Sequence, residues 1–171
     1  LAHIGFAGNV IEACRAGGVR RVIALSSTRR FTRFPDPTAE RVIRGEAALE
    51  QSGLDYTLLR PTMIFGGARD NNLQRGADWL KRWRFRPCVA VGRQLVRPIY
   101  VWDLVEAVVR TLDRPGQTRR RTLTLAGPEP MIWRAMMEEL SAAMGRPVIW
   151  VPIPYGVAFS AAAVLEHLMK R

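Results

Sequence analysis

Cysteine, histidine and lysine are scarce in this chain. Its two cysteines, Cys14 and Cys88, stand apart and neither belongs to a Cys-x-x-Cys pair, which excludes a disulfide framework. Its two histidines, His3 and His167, lie at opposite ends, so no Cys/His spacing suits zinc and no metal site is expected. Long apolar runs are missing too. The best stretch, Ile153 to Leu165, is broken by Pro154 and Gly156 and is too short to cross a bilayer, so no transmembrane segment is expected. No basic segment leads into an apolar core and a small-residue cleavage site, and the expected location is the cytoplasm. Internal repeats and low-complexity tracts do not occur.

What is present is an ordinary globular composition with an unusual charge. The 171 residues, 48% hydrophobic and 24% charged, are enough for one sizeable core. Twenty-six basic residues against fifteen acidic ones give a net charge of +11, and Lys81 and Lys170 are the only lysines. Such a field attracts nucleotides, nucleic acid or acidic surfaces, although arginines on solvated faces would produce the same number. The dense clusters are 29–33, 81–86 and 119–121. The charge and the interleaved Arg, Phe and Trp are the sole pointers to nucleic acid, and without a recognisable motif nucleic acid is not the expected partner.

Hydrophobic periodicity alternates between helix and strand. Ala7, Val10, Ile11 and Cys14 fall at helical spacing, and Gly17-Gly18 suits a helix end. Arg21 to Ser26 reads as a buried strand. Asp36-Pro37 is an N-cap followed by proline at the first helical position, and Ala39, Val42, Ile43, Ala47 and Leu49 form that helix's apolar side, with Gly53 as its stop. Tyr56 to Leu59 is the next strand. A helix is expected from Asn71 to Trp83, then strands at Cys88 to Val91 and Leu95 to Tyr100. Asp103 and Glu106 have capping-box spacing for the following helix, and Asp113 to Gly116 reads as a turn. A strand at Thr122 to Ala126, a helix at Met131 to Met144, a strand at Val148 to Val151 and a helix at Tyr155 to Lys170 complete the chain. Apolar strands alternating with helices predict an α/β fold with a parallel sheet covered on both faces.

Several segments carry a family likeness. The helix ending EACRAGGVRRVIALSS, the string RGEAALEQSGLDYTLLRPTMIFGG, and then LVRPIYVWDLVEAVVRTL and TLTLAGPEP occur in this order. Together they resemble the carboxyl-terminal two thirds of the extended and atypical short-chain dehydrogenases/reductases. That group includes NAD-dependent epimerases/dehydratases, NmrA-like proteins and the 39 kDa accessory subunit of respiratory complex I. The likeness runs from about Ala7 to Pro154, and Gly53 to Pro61 followed by Phe65-Gly66 is its most specific part.

The resemblance implies a Rossmann-like doubly wound parallel sheet lacking its first strands, with a small carboxyl-terminal substrate-side α/β portion. Residues 1–68 would be the carboxyl-terminal half of a dinucleotide-binding domain. Residues 69–171 would be a mixed substrate-side portion, with 95–126 returning to the sheet. It implies NAD or NADP as cofactor and a sugar-nucleotide or other carbonyl substrate. Ser26, Pro61, Thr62 and Met63 would lie at the cofactor, Ser27 and Thr28 would present hydroxyls to the reacting atoms, and Arg97 would face a substrate phosphate, which its planar fork suits. Ordinary turn chemistry at Ser26-Ser27 and an ion pair at Arg60 are the structural alternatives.

Two departures from the family stand beside these matches. No GxGxxG or GxxGxxG is present to cradle a pyrophosphate on backbone N–H groups. The resemblance places Leu1 inside the fourth helix, with roughly a hundred residues expected upstream of it. The family's catalytic Tyr-x-x-x-Lys is also missing: counting back from Glu46, Thr38 stands at the tyrosine and Val42 at the lysine. Thr38 is therefore the third catalytic candidate, although a threonine hydroxyl is a poor acid. A non-catalytic cofactor-binding sensor or assembly subunit of the same fold is the alternative, with a protein partner docking through Trp79 to Phe85, where Trp79, Leu80 and Trp83 could equally be core.

Overall fold

The computed structural model describes residues 2–3, 6–67, 70, 72–83, 85–89 and 92–160. In chain order the elements are β1 (Ala2–His3), α1 (Ala7–Ala16), β2 (Arg21–Leu25), α2 (Pro37–Glu50), β3 (Asp55–Pro61), β4 (Ile64–Phe65), α3 (Leu73–Arg82), β5 (Phe85–Val89) and β6 (Leu95–Val96). They continue with β7 (Ile99–Tyr100), α4 (Val101–Asp113), α5 (Pro115–Thr118), β8 (Arg121–Leu125), β9 (Met131–Ile132), α6 (Trp133–Ala143) and β10 (Ile149–Ile153). Residues 155–160 are helical, and the remainder of the expected last helix lies outside the described residues.

The chain divides into two compact units, one of Leu1–Phe65 with Arg97–Pro128 and the other of Gly66–Val96 with Glu129–Arg171. In the first unit β1, β2, β3 and β8 form a four-stranded sheet in that order. Every pairing is parallel, with Ala2 opposite Ala24, Arg21 opposite Asp55 and Thr57 opposite Arg121. Val22, Ile23 and Ala24 are all buried, as a strand covered on both faces requires. The even residues Val22, Ala24 and Leu58 pack with Ala7 and Ile11 of α1 and Val42 and Leu49 of α2. On the other face the Arg21 guanidinium donates to the Thr111 carbonyl at 2.7 Å and to the Thr118 hydroxyl at 3.0 Å. The parallel α/β sheet expected from the periodicity is thus present.

In the second unit β5 and β10 pair in parallel and β6 and β9 antiparallel. Gly76 of α3 lets Met137 of α6 approach: a Cβ on Gly76 would lie 2.6 Å from the Met137 methyl carbon. Leu80 and Met137 are almost fully buried.

Several local expectations need correction. Leu1, expected inside a helix, lies outside the described residues, and the adjoining Ala2–His3 pairs as a strand with Ala24 and Leu25 rather than continuing a helix. The strand expected at Leu95 to Tyr100 is two strands with different partners, β6 with β9 and β7 with β4. Pro98, which has no N–H to donate, stands in the break. Asp103 does not cap α4. That helix starts at Val101 after the extended Tyr100, without a side-chain cap, and Asp103 sits in its first turn, where its charge still favours the helix amino end. The Met131 helix begins only at Trp133, because Met131 and Ile132 belong to β9. The turn at Asp113 to Gly116 runs into a single helical turn led by Pro115. Among the described residues no helix is long and apolar enough to cross a membrane.

Candidate functional site at the carboxyl edge of the sheet

Because β2 and β3 are parallel, the segments that leave them emerge on the same edge, where ligands of open α/β sheets bind. Ser26 extends the ladder, its N–H donating to the Leu59 carbonyl at 2.7 Å. Ser27 is extended and its Oγ accepts the Arg29 N–H at 3.1 Å, capping a 3₁₀ turn over Thr28–Phe31. Thr28 ties the two segments together through its hydroxyl, which donates to the Pro61 carbonyl at 3.2 Å. Beyond β3, the Thr62 N–H donates to the Leu125 carbonyl at 2.9 Å, and the Met63 carbonyl accepts the Ile99 N–H at 2.9 Å. Ser26, Ser27, Thr28, Pro61, Thr62 and Met63 are therefore held on one edge.

Their hydroxyls are not equally available. Ser26 donates to Glu46, and Thr62 donates to the Arg97 carbonyl. Ser27 alone of these four hydroxyls has no acceptor among the described residues.

Beneath the edge lies a charge cluster. The Glu46 side chain is only 1% exposed. Arg60 grips it with both prongs, Nε to Oε1 at 2.8 Å and Nη2 to Oε2 at 2.7 Å, while Arg30 also pairs with Oε2 and Ser26 donates to Oε1. The Phe31 ring lies 5.7 Å from the Arg30 guanidinium and 5.6 Å from that of Arg60, close enough for cation–π attraction. The carboxylate that Arg60 was expected to pair with is thus Glu46, which the sequence did not identify. Its apolar neighbours on α2 make it an outlier, and that was the available signal.

Thr38 is not part of this arrangement. It lies exposed in the first turn of α2, its N–H on the Asp36 carboxylate at 2.9 Å and its hydroxyl accepting from Arg41 at 3.5 Å. Val42, at the expected lysine position, is buried in the core. The Arg29 guanidinium hydrogen-bonded to Asp36 holds that carboxyl below the usual carboxylate range, and the Thr38 and Ala39 N–H groups act in the same direction. Arg97 donates from Nε to the Gly127 carbonyl at 2.6 Å and from Nη2 to the Pro128 carbonyl at 2.8 Å. Two of its five donors thus staple a loop, with Gly127 so close to the Pro98 carbonyl that a Cβ there would lie 1.9 Å away.

In the second unit, Trp79 and Trp83 are partly exposed while Leu80 is core. The Trp79 indole N–H donates to the Phe85 carbonyl at 2.8 Å, and the Trp83 and Phe85 rings stand 5.6 Å apart. Among the described residues no group of three or more His, Cys, Asp or Glu could hold a metal ion.

No protein-family model matches the chain. In sequence it is 27% identical over 160 residues to the mitochondrial NADH dehydrogenase (ubiquinone) 1 alpha subcomplex subunit 9 of Arabidopsis thaliana, covering 91% of this chain and 38% of that protein. It is 26% identical to 2-alkyl-3-oxoalkanoate reductase of Stenotrophomonas maltophilia, covering 94% of this chain and 56% of that protein. Among solved structures, UDP-glucuronic acid 4-epimerase from Bacillus cereus, in complex with UDP-glucuronic acid and NAD, matches with a TM-score of 0.75 at 14% identity. That match covers 88% of this chain and 54% of the epimerase. The chain therefore has the Rossmann-type fold of the epimerases and reductases. It is homologous to the NADH dehydrogenase subunit and to the reductase, so the resemblance to extended and atypical short-chain dehydrogenases/reductases holds. It spans about half or less of the length of these relatives.

Replacing Glu46 by Gln keeps the shape but leaves Arg30 and Arg60 facing each other without their counter-charge. Breaking a buried pair in this way costs about 3–5 kcal/mol. Urea unfolding of Glu46→Gln should show a loss of that size; a midpoint equal to the parent's would mean that the cluster is solvated and energetically idle.

Proposed function

We propose that the chain forms the nicotinamide-facing and substrate-facing part of a dinucleotide-dependent protein of the epimerase, dehydratase and reductase type, with a sugar-nucleotide or other carbonyl compound as substrate. The observation that carries this reading is the carboxyl edge itself, where Thr28 ties the end of β2 to the end of β3 and the Ser27 hydroxyl, which accepts the Arg29 N–H, has no acceptor for its own proton among the described residues. Pro61, Thr62 and Met63 fit the nicotinamide end of a dinucleotide. The pyrophosphate end finds no fit at this edge among the described residues, because none of their strand-to-helix turns has the GxGxxG or GxxGxxG spacing, the Gly66-Gly67 pair after β4 included. This reading assigns the phosphate cradle to protein outside these 171 residues, in keeping with the share of its relatives that the chain spans.

When bound, the nicotinamide supplies or takes the hydride. This chain's own part is positioning. Ser27 donates to a substrate oxygen, the Pro61 to Met63 segment walls the ring, and Arg97 offers its remaining N–H groups to a phosphate on the substrate. Thr38 takes no part in proton transfer. Its hydroxyl lacks a lysine beside it, and any proton comes from water or from outside this chain.

A second reading, a non-catalytic assembly subunit, is favoured by one observation. Val42 fills a core position where the family's lysine would stand, and the Trp79 to Phe85 surface would then dock a protein partner.

Calorimetry with NADH should give a dissociation constant weaker than about 1 μM for the 171-residue chain. Tighter binding would show that another segment replaces the glycine-rich turn. In a form that turns over substrate, Thr38→Ala should leave the rate within about threefold and Ser27→Ala should lower it further, since general acid–base help is typically worth about 10²- to 10⁴-fold. A hundredfold loss in Thr38→Ala at unchanged stability would instead make Thr38 the catalytic acid.

A further inference from the structure

At the amino edge of the same sheet lies an open cleft of about 710 Å³, bordered by the turns that lead into β2, β3 and β8. Four arginines line it, Arg15, Arg20, Arg119 and Arg120, against one acidic residue, Asp55. Asp55 is matched by Arg119, whose Nε lies 2.7 Å from it. Arg15 gives an N–H to the Ser52 carbonyl at 3.0 Å, the ordinary use of an arginine near a helix carboxyl end. Arg20 and Arg120 have no side-chain hydrogen bond or ion pair among the described residues. The lining residues therefore carry three positive charges beyond their single acid, and among the described residues two of the guanidinium groups have no partner.

Arg120 adds an independent observation. Its φ of +50° makes it the one non-glycine residue in the left-handed region among the described residues. Gly18 and Gly53, in the same cleft, reach that region without strain, at φ of +67° and +76°. An arginine here holds a backbone form that glycine would adopt at no cost, and strain of this kind gathers where ligands are clamped.

We propose that this cleft binds a small phosphorylated ligand bearing a pyrophosphate, of the nucleoside diphosphate class. Planar guanidinium forks suit phosphate oxygens and hold them two at a time. The volume falls in the range of small-molecule sites, and Val19 and Leu54 in the lining offer apolar surface to the organic part of the ligand. The five residues of β2 separate the cleft from Ser26 by roughly 16 Å, so its occupancy is independent of the carboxyl edge and of any nicotinamide there. A compact concavity between loops favours a small molecule over a nucleic-acid strand, which would need an extended basic track.

Cys14 also lines the cleft, whereas Cys88 is buried. The rate of Cys14 alkylation by N-ethylmaleimide, followed by peptide mass spectrometry, therefore reads occupancy without reference to nicotinamide. Inorganic pyrophosphate should slow it about tenfold at saturation, with a midpoint near or below about 1 mM, and inorganic phosphate should act only at higher concentration. Arg120→Gly relaxes the backbone, so it should fold and yet raise the pyrophosphate midpoint about tenfold; Arg20→Ser should do the same. Arg44→Gln, an exposed charge loss on α2, should match the parent. Three results would overturn the proposal: no protection by pyrophosphate, an equal shift in Arg44→Gln, or protection by a DNA oligonucleotide alone.

Discussion

A buried carboxylate is tolerated only when its charge is met by partners, and Glu46 organises one edge of this molecule around that requirement. Four pieces of chain converge on it: α2 supplies the carboxylate, β3 supplies Arg60, the turn after β2 supplies Arg30, and the end of β2 supplies the Ser26 hydroxyl. Because Arg60 holds both oxygens, the ends of β2 and β3 are referenced to the same helix as well as to each other. The hydroxyls and carbonyls of the carboxyl edge take their positions from this clamp. It also explains why Ser26, for all its place at the edge, has its hydroxyl committed to structure, while the Ser27 hydroxyl finds no acceptor among the described residues.

Function on such an edge depends on what stands above the clamp. The helix that would carry an acid–base pair here carries an exposed Thr38 and a core Val42, and in the proposed function α2 contributes packing and charge rather than proton transfer. Under the proposed function hydride chemistry would belong to a bound cofactor, and the residues of this chain would hold and orient. The sheet also has a second pole. At its amino edge Arg15 at the end of α1, Arg20 before β2, and Arg119 and Arg120 before β8 gather beside Asp55, so part of the net positive charge seen in the composition is concentrated there.

Much of this architecture was legible because it rests on short-range rules. The apolar run of β2, the Asp36-Pro37 start of α2 and the glycine after α1 each state their structure within a few residues, and each stands where expected. What could not be read depended on partners distant in sequence. Leu95 to Tyr100 is one apolar run, but its two halves pair with different strands. Asp103 has capping spacing, but Tyr100 is already the end of β7 and the helix starts directly after it. Arg60 was legible as a residue in need of a carboxylate, and only the fold identifies Glu46. The amino-edge cleft was not legible at all, since its lining comes from segments about Arg20, Asp55 and Arg120 that no spacing rule connects.

The central claim is that Glu46 and Arg60 act as one unit that holds the carboxyl edge together. A double-mutant cycle on urea-unfolding free energies, using Glu46→Gln, Arg60→Met and the pair, addresses it most directly. Two members of one buried network should show a coupling of about 2 kcal/mol, with the double variant much less destabilised than the sum of the single ones. Additivity within about 0.5 kcal/mol would contradict the account and reduce the cluster to neighbouring charges.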